Sequence, residues 1–301
     1  MDWITAALLS AVSIGMVNIL DSHLITKRMP SLRAYLMMAS IFILGYAIVI
    51  SILTPLPEGV AAWPLVVAII SGLIRSAGLG ILLYTLKTEE VSRVVPVVYT
   101  YPVLVAILAG PILGESLGML QWIAIFIVVT GAVMVAVKRN HKGITGWLGR
   151  SFLLLLLASL SLAVAEVAGK YALGYITSWN LYWITAFCVA GIFLTISLRR
   201  SVIKQISSVV KQTKTMLIVF TKETLAVVGM ALLFWALERG PVSLVSTISG
   251  SRPLFVFIFA WLLSRLWKGF LLEDKTVGTA LAIRLLATAM IVAGIAIIYL
   301  A

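Results

Sequence analysis

Five ionisable residues stand inside stretches that are otherwise apolar: Arg75, Glu166, Glu223, Arg252 and Arg284. A charge at bilayer depth costs about 2.5 to 3.5 kcal/mol on insertion scales, so each needs a partner or a ligand. Arg252 follows Ser249, Gly250 and Ser251 and precedes Pro253. A proline in a helix interior removes a backbone hydrogen bond and frees carbonyls that can line a cavity. The small neighbours leave room for a ligand to approach the backbone. A guanidinium fork matches carboxylates and related anions, so Arg252 reads as an anion clamp or as half of an interhelical ion pair with Glu166 or another acid. Arg75, in SGLIRSAG, poses the same choice between a solute or gating role and a structural pair.

The stretch containing Arg252 occurs twice. LYTLKTEEVSRVVPVVYTYPVLVAIL, from Leu83 to Leu108, aligns at a constant offset with FWALERGPVSLVSTISGSRPLFVFIF, from Phe234 to Phe259. Leu86 falls on Leu237, Ser92 on Ser243 and Pro102 on Pro253, so Tyr101 is the counterpart of Arg252 and Tyr99 of Gly250. Pro102 and Pro253 are expected helix bends, with Tyr101, Tyr99 and Ser249 near the site. The counterpart of Glu166 is Asn18, followed by Asp21. Glu166 precedes Lys170 by four residues, the favourable spacing for a local helix pair. Desolvated with no cation nearby, Glu166 is instead a coupling candidate able to carry a proton. Glu223, beside Lys222, is expected to pair with Arg284. Tyr84 and Trp235, near helix ends, read as interfacial belt residues.

Several classes of function are excluded. His23, His141 and Cys188 are the only His and Cys residues, so neither a metal site nor a nucleophile with its base can be assembled. There is no phosphate-cradling glycine loop of the Walker type. No enzyme and no cofactor is expected. Hydrophobic residues make up 62% and charged residues 11% of the 301, and the mean hydropathy is +1.13. Soluble domains average roughly half apolar and a quarter charged, so this is an integral membrane protein. The net charge of +12 then reads as topogenic signals and not as a nucleic-acid footprint.

Ten segments reach the roughly 17 to 25 residues that a spanning helix needs: Trp3 to Leu20, Leu32 to Leu53, Pro64 to Leu86, Val94 to Leu113, Met119 to Val137, Phe152 to Ala172, Leu181 to Leu198, Met216 to Leu237, Val242 to Leu266 and Val277 to Leu300. The first, with no preceding Lys or Arg, is expected to be a retained helix and not a cleaved signal. Basic residues gather after the odd-numbered segments, and Arg239 is essentially the exception. The positive-inside rule makes those loops cytoplasmic and places both termini outside. Five helices per half then give two oppositely inserted repeats, residues 1–140 and 151–301, joined by a cytoplasmic linker at 141–150. Gly131 against Gly294, and Gln121 against Arg284, extend the match to the repeats' last helices. Such inverted repeats are an architecture of secondary transporters, with the site near the midplane. In Arg199 to Thr215, Val202, Ile203, Ile206, Val209 and Val210 recur at helical spacing against Lys204, Lys211 and Lys214. This segment is expected to lie on the cytoplasmic leaflet or to be a solvated basic loop.

The two repeats, with EEVSRVVPVVYTYPVLVAILAGPILGE and its echo ERGPVSLVSTISGSRPLFVFIFAWLLSRL, resemble the EamA-type branch of the drug/metabolite transporter superfamily over nearly the whole chain. The resemblance implies an all-α, ten-helix secondary transporter whose cavity is lined by segments 1, 3, 4, 6, 8 and 9. It also implies export of amino acids or related metabolites. Together with the two arginines it predicts alternating-access transport of a small polar metabolite, an amino acid or organic anion, across the cytoplasmic membrane. Arg252, Arg75, Tyr101, Tyr99, Asn18 and Ser249 would hold the solute. The alternative is a non-transporting scaffold or accessory subunit, which a dry core with fully paired polar residues would favour. The expected partners are the solute, the bilayer and, as an option, a second copy in a homodimer.

Overall fold

The computed structural model describes residues 1–89, 91–136, 150–266 and 279–300, and within these the chain is all helical. The expected linker lies, apart from Arg150, outside the described residues. The first half holds α1 (Trp3–His23), α2 (Leu32–Leu53), α3 (Ala62–Thr85), α4 (Val91–Val98), α5 (Tyr101–Leu113) and α6 (Met119–Ala136). The second holds α7 (Arg150–Ala172), α8 (Ser178–Ser197), α9 (Arg200–Val210), α10 (Thr213–Arg239), α11 (Val242–Ser249), α12 (Arg252–Leu266) and α13 (Thr279–Leu300). Among the described residues, seven helical stretches are long and apolar enough to cross a membrane, and three shorter apolar helices lie at Tyr101–Leu113, Met119–Gly131 and Leu286–Leu300. The fold is that of a multi-pass membrane protein.

Local residues explain where the helices begin. Asp2 accepts from the backbone N–H of Thr5 at 3.0 Å, Ser31 caps α2 through Ala34, and Thr177 with Asn180 forms a reciprocal capping box on α8. Hydrogen bonds from the Thr5 side chain and backbone hold the Asp2 carboxyl below its ordinary value. This cap is therefore present above the normal carboxylate range and lost only as pH falls through the lowered value. Protection of the Thr5 amide, relative to its intrinsic exchange at each pH, is expected to fall only in that acidic window.

The expected fourth and ninth segments are not single helices with a proline inside. Each is interrupted, at Tyr99–Thr100 between α4 and α5 and at Gly250–Ser251 between α11 and α12. Pro102 and Pro253 stand second in α5 and α12, where a missing N–H costs nothing because first-turn donors have no intrahelical acceptor. The bend thus forms just before each proline.

Packing runs across the two halves of the sequence: α1 lies on α10, α2 on α8, α3 on α7 and α6 on α13. Small residues set these distances. A methyl group on Gly131 would fall 2.9 Å from the Ala287 carbonyl oxygen, and one on Gly294 3.1 Å from that of Ala124. The two glycines aligned by the sequence repeat therefore let α6 and α13 touch backbone to backbone. Leucine at either position is expected to cost about 1 to 3 kcal/mol, as overpacking does, and to lower the unfolding temperature in detergent. Unchanged unfolding would refute this contact.

The amphipathic segment is a helix, α9. Val202 and Val209 are buried, Gln205 accepts from Ser31 Oγ at 2.6 Å, and Arg200, Lys204 and Lys211 are exposed. A solvated loop is excluded for this stretch.

Candidate functional site

Small side chains on α3 bring Arg75 into the protein. Ser71 Oγ donates to the Ala165 carbonyl at 2.7 Å, and a methyl on Gly72 would fall 3.0 Å from Cys188 Sγ and 3.1 Å from Thr185 Cα. With α3 held this close to α7 and α8, Arg75 is 4% exposed and its Nη2 lies 3.9 Å from Glu166 Oε1. The Arg75 guanidinium also lies 5.3 Å from the centre of the Phe234 ring. Glu166 accepts from Tyr101 Oη at 2.9 Å and from Ser246 Oγ on α11. Arg252, 4% exposed, lies over the Tyr99 ring at 4.8 Å.

The repeated stretches meet here. A methyl on Gly250 would fall 3.1 Å from Pro102 Cγ and 3.5 Å from the Tyr99 carbonyl oxygen, so one helix break packs on the other. Broken helices of this kind expose backbone and small side chains only where protein or a cavity surrounds them.

Arg75 has a carboxylate within ion-pair distance, and among the described residues Arg252 has none. Nε and Nη2 of both Arg75 and Arg252 are buried without a hydrogen-bond partner, as are Asn18 Nδ2, Thr185 Oγ1 and Ser249 Oγ. Buried donors left unpaired cost about 1 to 3 kcal/mol each, and more for charged groups. Asn18, Arg75, Tyr99, Glu166, Thr185 and Arg252 all line one cavity, with a water-accessible volume of about 140 Å³. An anionic group entering it would supply the acceptors the arginines lack.

The same cavity is also lined by Asp21, Lys222 and Glu223. Lys222 Nζ lies 3.2 Å from Asp21 Oδ1 and 2.8 Å from Glu223 Oε1, and Tyr35 Oη donates to Asp21. Lys222 precedes Phe234 by twelve residues on α10, roughly 18 Å at helical rise. The cavity therefore has two polar ends.

Of the residues singled out from sequence, the cavity gathers Arg75, Arg252, Tyr99, Asn18 and Glu166. Tyr101 and Ser249 are fully buried but do not line it. Tyr101 stands behind Glu166 as its donor instead of facing the site directly. Lys170 does not pair with Glu166: it donates to the carbonyls of Leu237 at 2.6 Å and Gly240 at 2.9 Å, where α10 has run out of amide donors. The cation within ion-pair distance of Glu166 is Arg75, not Arg252. Glu166 therefore has a cation nearby, from α3 and not from its own helix. Glu223 pairs with Lys222, and the Arg284 side chain, its expected partner, lies outside the described residues. Phe234, Thr185 and Tyr35 join the site from apolar helices. Only Lys222 and Glu223 side by side in an apolar run, with Asp21 in another, signalled the second end.

One end of the bundle is tied shut. The Glu115 carboxylate, after α5, accepts from the backbone N–H groups of Val242 at 2.6 Å and Ser243 at 3.2 Å and from Ser243 Oγ at 2.7 Å. It thereby caps α11, complementing the positive end of that helix. Glu238 accepts from Ser178 at the start of α8. Replacing Glu115 by alanine strands those donors and is expected to cost about 1.5 to 3 kcal/mol, the range for bonds to a charged group. Chemical denaturation would show this as a lower midpoint at unchanged slope.

The chain is a helical multi-pass membrane protein whose interrupted helices cross at a polar cavity. Residues 1–137 match the EamA-like transporter family, part of the drug/metabolite transporter superfamily. A solved crystal structure resembles the protein over 97% of this chain and 97% of its own, with a TM-score of 0.59 and 21% identity, a likeness of fold. No curated protein matches the sequence.

Proposed function

We propose that the protein is a secondary transporter that moves a small polar metabolite with a carboxylate or similar anionic group, an amino acid or organic anion, by alternating access. Transport runs as export or exchange across the cytoplasmic membrane. The carrying observation is the pair of buried arginines that line one cavity with four nitrogens lacking a hydrogen-bond partner, while only Arg75 has a carboxylate within ion-pair distance. A scaffold would have no reason to keep such groups desolvated and unpaired, because apolar replacements would be neutral or stabilising.

The proposed transporter crosses the membrane ten times in two inverted repeats. Exchanging the halves turns the α1–α10 contact into the α3–α7 contact and returns the α2–α8 and α6–α13 contacts to themselves. That is the pattern a two-fold axis in the membrane plane would generate, and transporters of this build hold solute where broken helices cross. The basic loops make the linker cytoplasmic and the termini external. On that topology the ties at Glu115, Glu238 and Lys170 close the outer side, and the cavity reaches toward the cytoplasm past Asp21 and Lys222. Glu166 anchors the arginines, and opening would require the Glu115 tie to α11 to release.

A thermal-shift screen of metabolites on the purified protein, followed by exchange assays in proteoliposomes, tests this reading. Carboxylate-bearing solutes are expected to stabilise the protein and to exchange. Stabilisation by none, with no flux, would favour the scaffold. A cysteine placed at Gly143 and labelled from outside intact cells would overturn the topology.

A further inference from the structure

Asp21, Lys222 and Glu223 carry two negative charges and one positive charge at 5%, 6% and 2% exposure. Such a surplus is costly where water is scarce, because Coulomb energies grow as the dielectric falls. The charged and titratable groups around the cluster do not cancel it: Asp21 comes from α1, Tyr35 and Tyr46 from α2, Tyr182 from α8 and Lys222 from α10 itself. Tyrosines are neutral unless strongly perturbed. The cluster lines the transport cavity, and one turn before Asp21 the buried Asn18 Nδ2 faces the same space without a partner. Arg75, Arg252 and Glu166 leave the opposite surplus, one positive charge, at the cavity's other end.

From this geometry we infer that the Asp21–Lys222–Glu223 cluster is a proton site, with Glu223 as the acceptor, loaded and emptied once per transport cycle. A proton is favoured over an alkali cation because α10 is unbroken at Lys222 and Glu223, and where α1 passes into a π-helical turn at Leu24–Arg28 the Asp21 and Leu20 carbonyls still accept from the Leu24 N–H, so these are not freed to complete a coordination shell. Asp21 already accepts from Tyr35 and is ion-paired with Lys222, whereas Glu223 accepts from Lys222 alone among the described residues. Glu223 is thus the carboxylate with acceptor capacity to spare. In the step, a proton from cavity water bonds to a Glu223 oxygen. Lys222 stays an ammonium on Asp21, and the cluster passes from one negative charge to none. The proton returns to water when the cavity opens to the other side. Because Asp21 and Lys222 join α1 to α10, loading changes the charge balance at a contact between the two halves.

Infrared difference spectra of the protein in lipid bilayers, acidified with no solute present, test the site directly. The expected result is a protonated-carboxyl C=O band that is lost in Glu223→Gln and retained in Glu166→Gln and Arg252→Lys. No band in the wild type, a band surviving in Glu223→Gln, or one lost in Glu166→Gln would overturn the assignment. If Glu223→Gln does not fold, Asp21→Asn decides: removing the surplus charge must abolish the band, and an unchanged band overturns the site. Stabilisation by sodium over choline, or by methylammonium, that needs Glu223 and comes without a band would assign the charge to another cation and also overturn it. The inference rests on the transport reading only for its role in the cycle. A Glu223-dependent band with no flux of any metabolite would sink the transport reading and leave the proton site standing.

Discussion

Arg252→Ala is expected to abolish measurable binding and flux of any solute that stabilises the wild type, while the protein still folds. The guanidinium is buried, stacked over Tyr99 and short of partners at Nε and Nη2. A solute anion that satisfies these donors gains charge-assisted bonds worth about 1.5 to 3 kcal/mol each. Losing them lowers affinity by at least about tenfold per 1.4 kcal/mol. Arg252→Lys is expected to recover little, since an ammonium neither spans two acceptors nor stacks on the ring. Arg75→Ala should have the same sign with a smaller folding effect than loss of its acid, because removing Arg75 leaves Glu166 its hydroxyl donors Tyr101 and Ser246. Thermal shift with the solute, alongside exchange in proteoliposomes, measures both variants. Unchanged flux in both would end the anion-clamp reading.

Glu166→Leu is expected to be the most destabilising single change in the cavity. The carboxylate is 1% exposed, holds Tyr101 and Ser246 from two different broken helices, and is the acid within ion-pair distance of Arg75. Its removal leaves two buried guanidinium groups with no countercharge and two hydroxyls without their acceptor. Removing one partner of a buried pair costs about 3 to 5 kcal/mol. The variant should therefore unfold at lower temperature and recover part of the loss in a high concentration of small anions, which replace the missing charge. Glu166→Gln keeps an acceptor for one hydroxyl and should fall between the two. A Glu166→Leu protein as stable as the wild type would mean that the arginines are already compensated by something other than this carboxylate.

The location of the cavity was largely legible in the sequence. Charged residues inside apolar runs are costly enough to stand out: Arg75 and Arg252 had no local acid to pair with, and Glu166 had only Lys170 one turn on. Pro102 and Pro253 marked the breaks because their rings lack an amide hydrogen and cannot continue a helix unaided. Partner choice was not legible. The helical spacing joins Glu166 to Lys170, and an isolated helix would make that pair. In the bundle Lys170 instead meets the open carbonyls at the end of α10, and the buried Glu166 faces Arg75. Tyr101 matched Arg252 in register, yet the halves are not equivalent in use: one side chain lines the cavity and the other supports Glu166 from behind.

The sequence by itself determined that this is a membrane protein of paired halves with a charged interior, because hydropathy, proline position and repeat register are properties of the chain read in order. Only the tertiary structure decided which charges face one another. It set Arg75 against Glu166, joined Lys222 to Asp21, and brought the two helix breaks together at Pro102 and Gly250. Those contacts depend on how closely helices approach, which small residues such as Gly72 and Gly131 allow and which no single helix can reveal.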